Sequence, residues 1–168
     1  MRIRTVVVSV ASAMALFLSV QPAAAQSKTE VAVGYNFLRQ LETGGENIPA
    51  GWGASIASAF NDMVKVVGDI SGNYKDGHKL HFFQGGIEVA GKSGSVTPFF
   101  RLLTGVGVSS GGGDSDTAWV LTPQAGIKTK GNGKVGAQVA IGFPIVRDSG
   151  DTFKHMNIFA GITAKVGK

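Results

Sequence analysis

The chain has 168 residues, a formal net charge of +5, no cysteine and 25 glycines. That length fits one domain, and the absence of cysteine excludes both a disulfide framework and thiolate chemistry. The charges are scattered instead of forming a basic block, which argues against nucleic acid as a partner, and glycine dispersed among Val, Ile, Phe and Thr favours strands and turns over helices.

Residues 1–25 read as a secretory signal peptide: Arg2 and Arg4, an apolar run from Val6 to Val20, then Ala23-Ala24-Ala25 ahead of Gln26. Pro22 ends the run before it reaches the roughly 20 apolar residues a spanning helix needs. Residues 26–168 are then the exported domain.

From there the dominant period is two. Val31, Val33, Tyr35 and Phe37 share one parity, as do Trp52, Ala54, Ile56, Ser58 and Phe60. Val64, Val66, Gly68, Ile70 and Tyr74 make a third set. The segments 78–91 and 95–109 are less clean, with Phe82 beside Phe83, Phe99 beside Phe100 and Leu102 beside Leu103; 119–130 contains Pro123. Val135, Ala137, Val139, Ile141 and Phe143 follow, and Met156, Ile158, Ala160, Ile162, Ala164 and Val166 close the chain. Eight strands result, each of about 10–15 residues. That is longer than the usual soluble strand of about 5–6 and sufficient for a tilted membrane strand of about 9–11.

The connections alternate long and short. "LETGGENIPAG", "GNYKDGHK", "SSGGGDSDT" and "RDSGDTFK" are the long polar ones. "ND", "GKSGS" and "KGNGK" are short, and Asn132-Gly133 in the last is a hairpin signal. This predicts an up-and-down barrel with long loops at one end and short periplasmic turns at the other. Phe37, Trp52, Tyr74, Trp119 and Phe143 hold the apolar parity at the long-loop end, which predicts an interfacial aromatic girdle. A soluble lipocalin-like barrel, with its apolar face turned inward, is the rival fold.

Together with the signal peptide, "HFFQGG", "TPFFRLLTGVGV", "PQAGIKTK" and "NIFAGITAKVG" make residues 30–168 resemble the small eight-stranded outer-membrane β-barrels of Gram-negative bacteria, the OmpA/OmpX-like porin-family barrels. The resemblance implies an all-β, antiparallel, transmembrane barrel in the cell outer membrane, with a structural or adhesive role and no enzymatic activity, cofactor or metal. It also implies outer-membrane lipid and lipopolysaccharide, periplasmic chaperones and the barrel-assembly machinery as partners, and no nucleotide. Such barrels commonly close on an aromatic residue; here Val166 occupies that parity.

The opposite parity would face the lumen, and it carries Lys65, Asp69, Gln84, Glu88, Arg101, Gln124, Lys128, Gln138, Asn157 and Lys165. An eight-stranded interior has room only for side chains, and buried charge must be paired. Lys65, Asp69, Glu88, Arg101, Lys128 and Lys165 are therefore expected to form an ion-pair network plugging the barrel, with Glu88–Arg101 as its central pair. A narrow passive pore is the alternative. A lipid A-modifying enzyme is a second alternative, which would need His81 and Ser110 to act as base and nucleophile. Asp114, Asp116, Asp148 and Asp151 lack the full calcium-loop spacing.

One motif points elsewhere. "GIEVAGKS" (86–93) matches the phosphate-loop pattern G-x-x-x-x-G-K-[ST]. That pattern requires a helix next, whereas "SVTPFF" with Pro98 begins a strand. The match is expected to be a glycine-rich hairpin.

Overall fold

The computed structural model describes residues 29–42, 44–91, 94–111, 114–130, 134–148 and 150–166. The expected signal peptide, Lys92 and Ser93 of the phosphate-loop match, and the Asn132-Gly133 turn lie outside them.

Runs of β-branched and aromatic residues on one parity, with glycine and small residues between, build ten strands and no helix among the described residues. In chain order these are β1 (Thr29–Gln40), β2 (Asn47–Ile48), β3 (Ala50–Ala59), β4 (Val64–Lys75) and β5 (His78–Ala90). β6 (Val96–Gly111), β7 (Asp114–Lys130), β8 (Val135–Gly142), β9 (Ile145–Asp148) and β10 (Asp151–Val166) follow. All neighbours pair antiparallel, and β1 pairs with β10, so the sheet closes.

Ten strands make eight staves because two prolines each interrupt one. Proline has no N–H to give the ladder. Pro49 separates β2 from β3, both of which pair with β1. Tyr35 faces Trp52 but Leu38 faces Ile48, so one extra residue is accommodated there as a bulge. Pro144 separates β8 from β9, both of which pair with β7 and β10. Pro123 stands opposite that break: its carbonyl accepts from the N–H of Phe143 at 2.9 Å.

Ladder partners traced once around the barrel run Val31, Ile56, Gly68, Gly85, Thr104, Leu121, Ile145, Lys154. The N–H of Leu41 then donates to Lys154 at 2.9 Å, which returns the path to the first stave at Leu41 instead of Val31. That stagger of 41 − 31 = 10 residues over eight strands corresponds to a tilt of about 40°, using a rise of about 3.3 Å per residue and a strand spacing of about 4.8 Å. The tilt leaves an interior just wide enough for side chains.

The expected contrast in loop length is not what the structure shows. At the end away from Thr29 and Val166, only 76–77, 112–113 and 149–150 separate the strands, and 41–46 is the longest connection. The polar segments read as loops continue as hairpin ladders, because pairing satisfies their backbone groups. The ladder between β6 and β7 runs to Gly111↔Asp114. Asp76 (φ 48°) and Gly77 (φ 81°) form the two-residue turn that an Asp-Gly pair favours. The contrast between the two ends survives as overhang: β6, β7 and β10 are 16, 17 and 16 residues long, more than the 9–11 or so that cross a membrane.

Residues 86–90 of the "GIEVAGKS" segment are strand. Ile87 and Val89 are exposed, Glu88 between them is buried, and β6 follows where a phosphate loop requires a helix.

Candidate functional site

The two faces of the sheet carry opposite chemistry. Outward positions on every stave are apolar and exposed, among them Val33, Ile56, Val66, Ile87, Phe100, Leu102, Ile127, Val139 and Ile162, the last at 61 %. Inward positions hold the buried polar set: Asn36, Asn73, Glu88, Arg101, Thr122, Gln124, Lys128 and Gln138. A soluble barrel would have the reverse. Contiguous apolar patches above a few hundred Å² are rare on soluble monomers, and here they encircle the molecule.

The outward band has membrane dimensions. On β6, Val96, Phe100, Leu102 and Val106 cover ten residue steps, and Val106 is the ladder partner of Trp119. At a tilt of about 40° each step climbs about 2.5 Å, so the band is about 25 Å tall, the height expected of a barrel in an outer membrane. When the register is corrected for tilt, by just over one residue per strand, Phe37, Trp52, Tyr74, Trp119 and Phe143 fall within about 8 Å of one axial level. Trp52, Trp119 and Phe143 are exposed, while Phe37 and Tyr74 are half-buried. Tyr74 is covered because its hydroxyl accepts from Trp52 Nε1 at 3.0 Å and lies 3.2 Å from His81 Nε2. Tyr35, His81 and Phe83 lie at the same level. Phe60, Met63, Val96, Val135 and Val166 are exposed along the opposite rim.

Inside, the residues stack in layers. Nearest the termini is a charged layer centred on Glu88, which is fully buried. Its carboxylate accepts from Arg101 Nε at 2.7 Å and from Lys128 Nζ at 2.8 and 3.0 Å, with Lys65 Nζ at 3.2 Å. Glu30 joins from β1, 3.6 Å from Lys65 and 2.5 Å from Lys128. The Phe99 ring lies between the cations, 4.8 Å from Arg101 Cζ and 4.9 Å from Lys128 Nζ. Arg101 Nη1 and Nη2 reach up to the Oε1 atoms of Gln124 and Gln138 at 3.3 and 3.4 Å.

Above Arg101 is a cavity of about 10 Å³, lined by Asp69, Ser71, Ser55, Asn36, Gln124 and Asn157; that is room for about one water. An amide layer follows. Asn36 Nδ2 donates to Asn73 Oδ1, and Asn73 Nδ2 to the Asn36 carbonyl, both at 2.9 Å. Gln84 Nε2 donates to Thr122 Oγ1 at 2.8 Å. At girdle level Leu38, Phe82, Val120 and Val146 pack together, with Ile48, Leu80 and Ala118 against them. Beyond this apolar layer the far mouth opens into a basin of about 410 Å³ lined by Glu46, Lys75, Asp76, His78 and Lys79. There Lys75 Nζ donates to Glu46 Oε2 at 2.9 Å, and this hydrogen bond holds the Glu46 carboxyl below its ordinary 4.5.

Of the six expected network residues, Lys65, Glu88, Arg101 and Lys128 are brought together. Asp69 sits one layer higher, at the cavity, and no direct ion pair joins it to the cluster among the described residues. Lys165 is exposed at the strand end. Its ladder partner is Glu30, whose carboxylate turns to Lys65 and Lys128 instead. Glu30 was missing from the expected set although it shares the inward parity of Ala32 and Asn36; parity alone, extended by one residue, would have found it. The apolar layer was also missing, because its members come from staves far apart in sequence. Ser110 is the ladder partner of Lys79, not of His81, and the hydrogen-bond partner of His81 is Tyr74, so no serine–histidine pair forms. Among the described residues there is no cluster of three or more potential metal ligands.

This arrangement, an apolar belt outside, an interfacial aromatic band and a plugged polar lumen, defines a small transmembrane β-barrel of eight staves. No protein-family model matches the chain, and no curated protein matches it in sequence. Solved structures do. Neisserial surface protein A is similar over 82 % of this chain and 97 % of its own, with a TM-score of 0.67 and 14 % identity. Ail, the attachment invasion locus protein of Yersinia pestis, matches over 84 % and 100 %, with a TM-score of 0.61 and 14 % identity. The N-terminal β-barrel domain of Pseudomonas aeruginosa OprF matches over 82 % and 99 %, with a TM-score of 0.55 and 11 % identity. At these identities the likeness is one of fold, and the chain has the fold of the small outer-membrane β-barrels.

Proposed function

We propose that this protein is an outer-membrane β-barrel with a structural or surface-interaction role and a closed lumen. The observation that carries the reading is the inversion of the sheet, with apolar residues exposed around the outside and charge enclosed within. The strand ends at Thr29 and Val166, and the strand ends Ala59, Ala90 and Lys130 on the same side, then face the periplasm, and the overhanging hairpins face outward. The membrane lipid and lipopolysaccharide are its surroundings, and periplasmic chaperones and the barrel-assembly machinery bring it there. Export of residues 26–168 behind a cleaved signal peptide is part of the same proposal.

A structural role is favoured over a pore by two barriers in series. The Glu88 cluster and its amides leave space for about one water. The Leu38–Phe82–Val120–Val146 layer above it narrows the lumen with apolar side chains, beside the buried His155, and an apolar constriction opposes conduction by dewetting. The lipid-modifying reading is not favoured, because His81 lies against Tyr74 and Ser110 is opposite Lys79. The outward hairpins and the basin at the mouth are the surfaces available to an external ligand, as recognition concentrates on segments held by a rigid scaffold. One fold neighbour, Ail, has been solved with the heparin analogue sucrose octasulfate, and the cations lining this basin are the counterpart to probe first.

Fractionation and conductance test the reading together. The protein should sediment with outer membranes, migrate differently on gels when unboiled, and leave planar bilayers silent. Recovery in the soluble periplasm would remove the membrane assignment; discrete conductance steps would replace the plug with the pore.

A further inference from the structure

The chain has two tyrosines, and the barrel treats their hydroxyls differently. Tyr35 donates to the carbonyl of Pro49, which accepts a hydrogen bond but takes no proton. Tyr74 has Trp52 Nε1 at 3.0 Å on one side and His81 Nε2 at 3.2 Å on the other. An indole N–H only donates, so it fills a lone pair of the Tyr74 oxygen and leaves the hydroxyl hydrogen for His81. That assigns the His81 proton to Nδ1 and makes Nε2 a base within hydrogen-bond reach of a phenol.

The three groups are built around a glycine. Trp52, Gly72 and His81 are successive ladder partners on three staves, and Tyr74 stands two residues above Gly72 on the same outward face. A Cβ at position 72 would lie 2.9 Å from Trp52 Nε1, 2.9 Å from His81 Cδ2 and 3.0 Å from Tyr74 Oη. A side chain there would push the three apart, and glycine lets them meet. The Tyr74 and His81 rings are edge-on, with centroids 5.6 Å apart and planes at 78°. Trp52 is exposed, and Tyr74 and His81 are half-buried. The group faces the bilayer at the level of the aromatic band, where hydrocarbon gives way to headgroups.

We propose that Tyr74 and His81 together scavenge lipid peroxyl radicals. A peroxyl group is polar, so it leaves the chain region for the interface. There the Tyr74 phenol gives it an electron, and the phenolic proton passes to His81 Nε2. The peroxyl anion takes a proton from interfacial water, and the imidazolium returns one to that water. The balance is ROO• + Tyr–OH → ROOH + Tyr–O•. An O–H bond breaks on the tyrosine, which is oxidised, and one forms on the peroxyl radical, which is reduced. A second peroxyl radical then couples to a ring carbon of the phenoxyl, pairing both electrons in a C–O bond. The site rests on the membrane embedding proposed above.

The test places the barrel in vesicles of a dilinoleoyl phospholipid with a lipid-soluble azo initiator. Conjugated-diene absorbance gives the lag before peroxidation, and electron paramagnetic resonance reports the tyrosyl radical. The wild type should lengthen the lag at least threefold over empty vesicles and show the radical. Y35F should keep the lag within twofold of the wild type. Y74F should abolish the radical and most of the added lag. H81Q keeps a hydrogen-bonding group but no base, and G72A keeps all three side chains but separates them; each should remove at least half of the added lag. Unchanged heat-modifiability on gels identifies the variants that fold. A lag equal in Y74F and the wild type, or one indifferent to both H81Q and G72A, overturns the proposal while leaving the barrel assignment standing. A wild type that fails to enter vesicles overturns the assignment itself.

Discussion

Replacing Glu88 with glutamine should be the most destabilising conservative change in the lumen. Glu88 is fully buried and takes Arg101 Nε at 2.7 Å, Lys128 Nζ at 2.8 Å and Lys65 Nζ at 3.2 Å. Glutamine keeps the shape but leaves three cations facing Glu30 alone. Removing one partner from a buried ionic cluster costs about 3–5 kcal/mol, because the remaining charges are stranded away from water. That is a fall of about two to four decades in the folding constant. Glu30→Gln is the internal comparison. Its side chain is 11 % exposed and, among the described residues, it pairs with Lys65 and Lys128; because Glu88 still holds both cations when Glu30 is neutralised, the loss should be smaller than for Glu88→Gln. Adding Lys128→Met to Glu88→Gln removes one stranded cation and should recover part of the loss, which is non-additivity of the kind a double-mutant cycle detects. The assay is urea unfolding of the protein in phospholipid vesicles, followed by the fluorescence of Trp52 and Trp119. If Glu88→Gln unfolds within about 0.5 kcal/mol of the parent, the cluster does not hold the lumen together and the reasoning fails.

Two further outcomes follow from the same geometry. Leu102→Arg, near the middle of the outward band, should cost about 2–4 kcal/mol in vesicles, whereas Thr117→Arg above the aromatic level should cost about 0–1; equal costs would mean that the band is not in hydrocarbon. Glu46 should titrate below its ordinary 4.5 in a carboxyl NMR titration, because Lys75 donates to it. Its contribution to stability is then present above its unfolded value and lost as pH falls through the folded one. Lys75→Met should return Glu46 to its ordinary range, and a titration indifferent to that change would remove the pair.

Most of the architecture was legible as parity. Val31, Val33, Tyr35 and Phe37 on β1, and Val135 to Ile141 on β8, show the alternation without interruption, because their inward neighbours are small or polar. β6 was ambiguous for a physical reason: Phe99 and Leu103 are apolar but inward, packed in lumen clusters, while Phe100 and Leu102 face out. A lumen with apolar layers blurs the period. Glu88 and Arg101 could be paired from sequence since both count from the same turn, and they are ladder partners. Asp69 stands four residues above Lys65 on the same strand, a separation the parity reading passed over, and Lys165 could not be excluded that way because its height depends on the pairing of β10 with β1, which only the closed ladder reveals. The outer segments misled because Gly, Ser and Asp were read as loop chemistry, whereas Asp76-Gly77 is a tight-turn pair that permits the ladder to continue.

The absence of native cysteine makes the decisive measurement simple. Single cysteines placed at 99 to 103 on β6, spin-labelled in vesicles, can be scored for collision with oxygen, which partitions into hydrocarbon. Positions 100 and 102 should be readily accessible to oxygen, and 99, 101 and 103 protected. High accessibility at 99, 101 and 103 with protection at 100 and 102, or no alternation at all, would contradict a barrel that turns its apolar face to lipid.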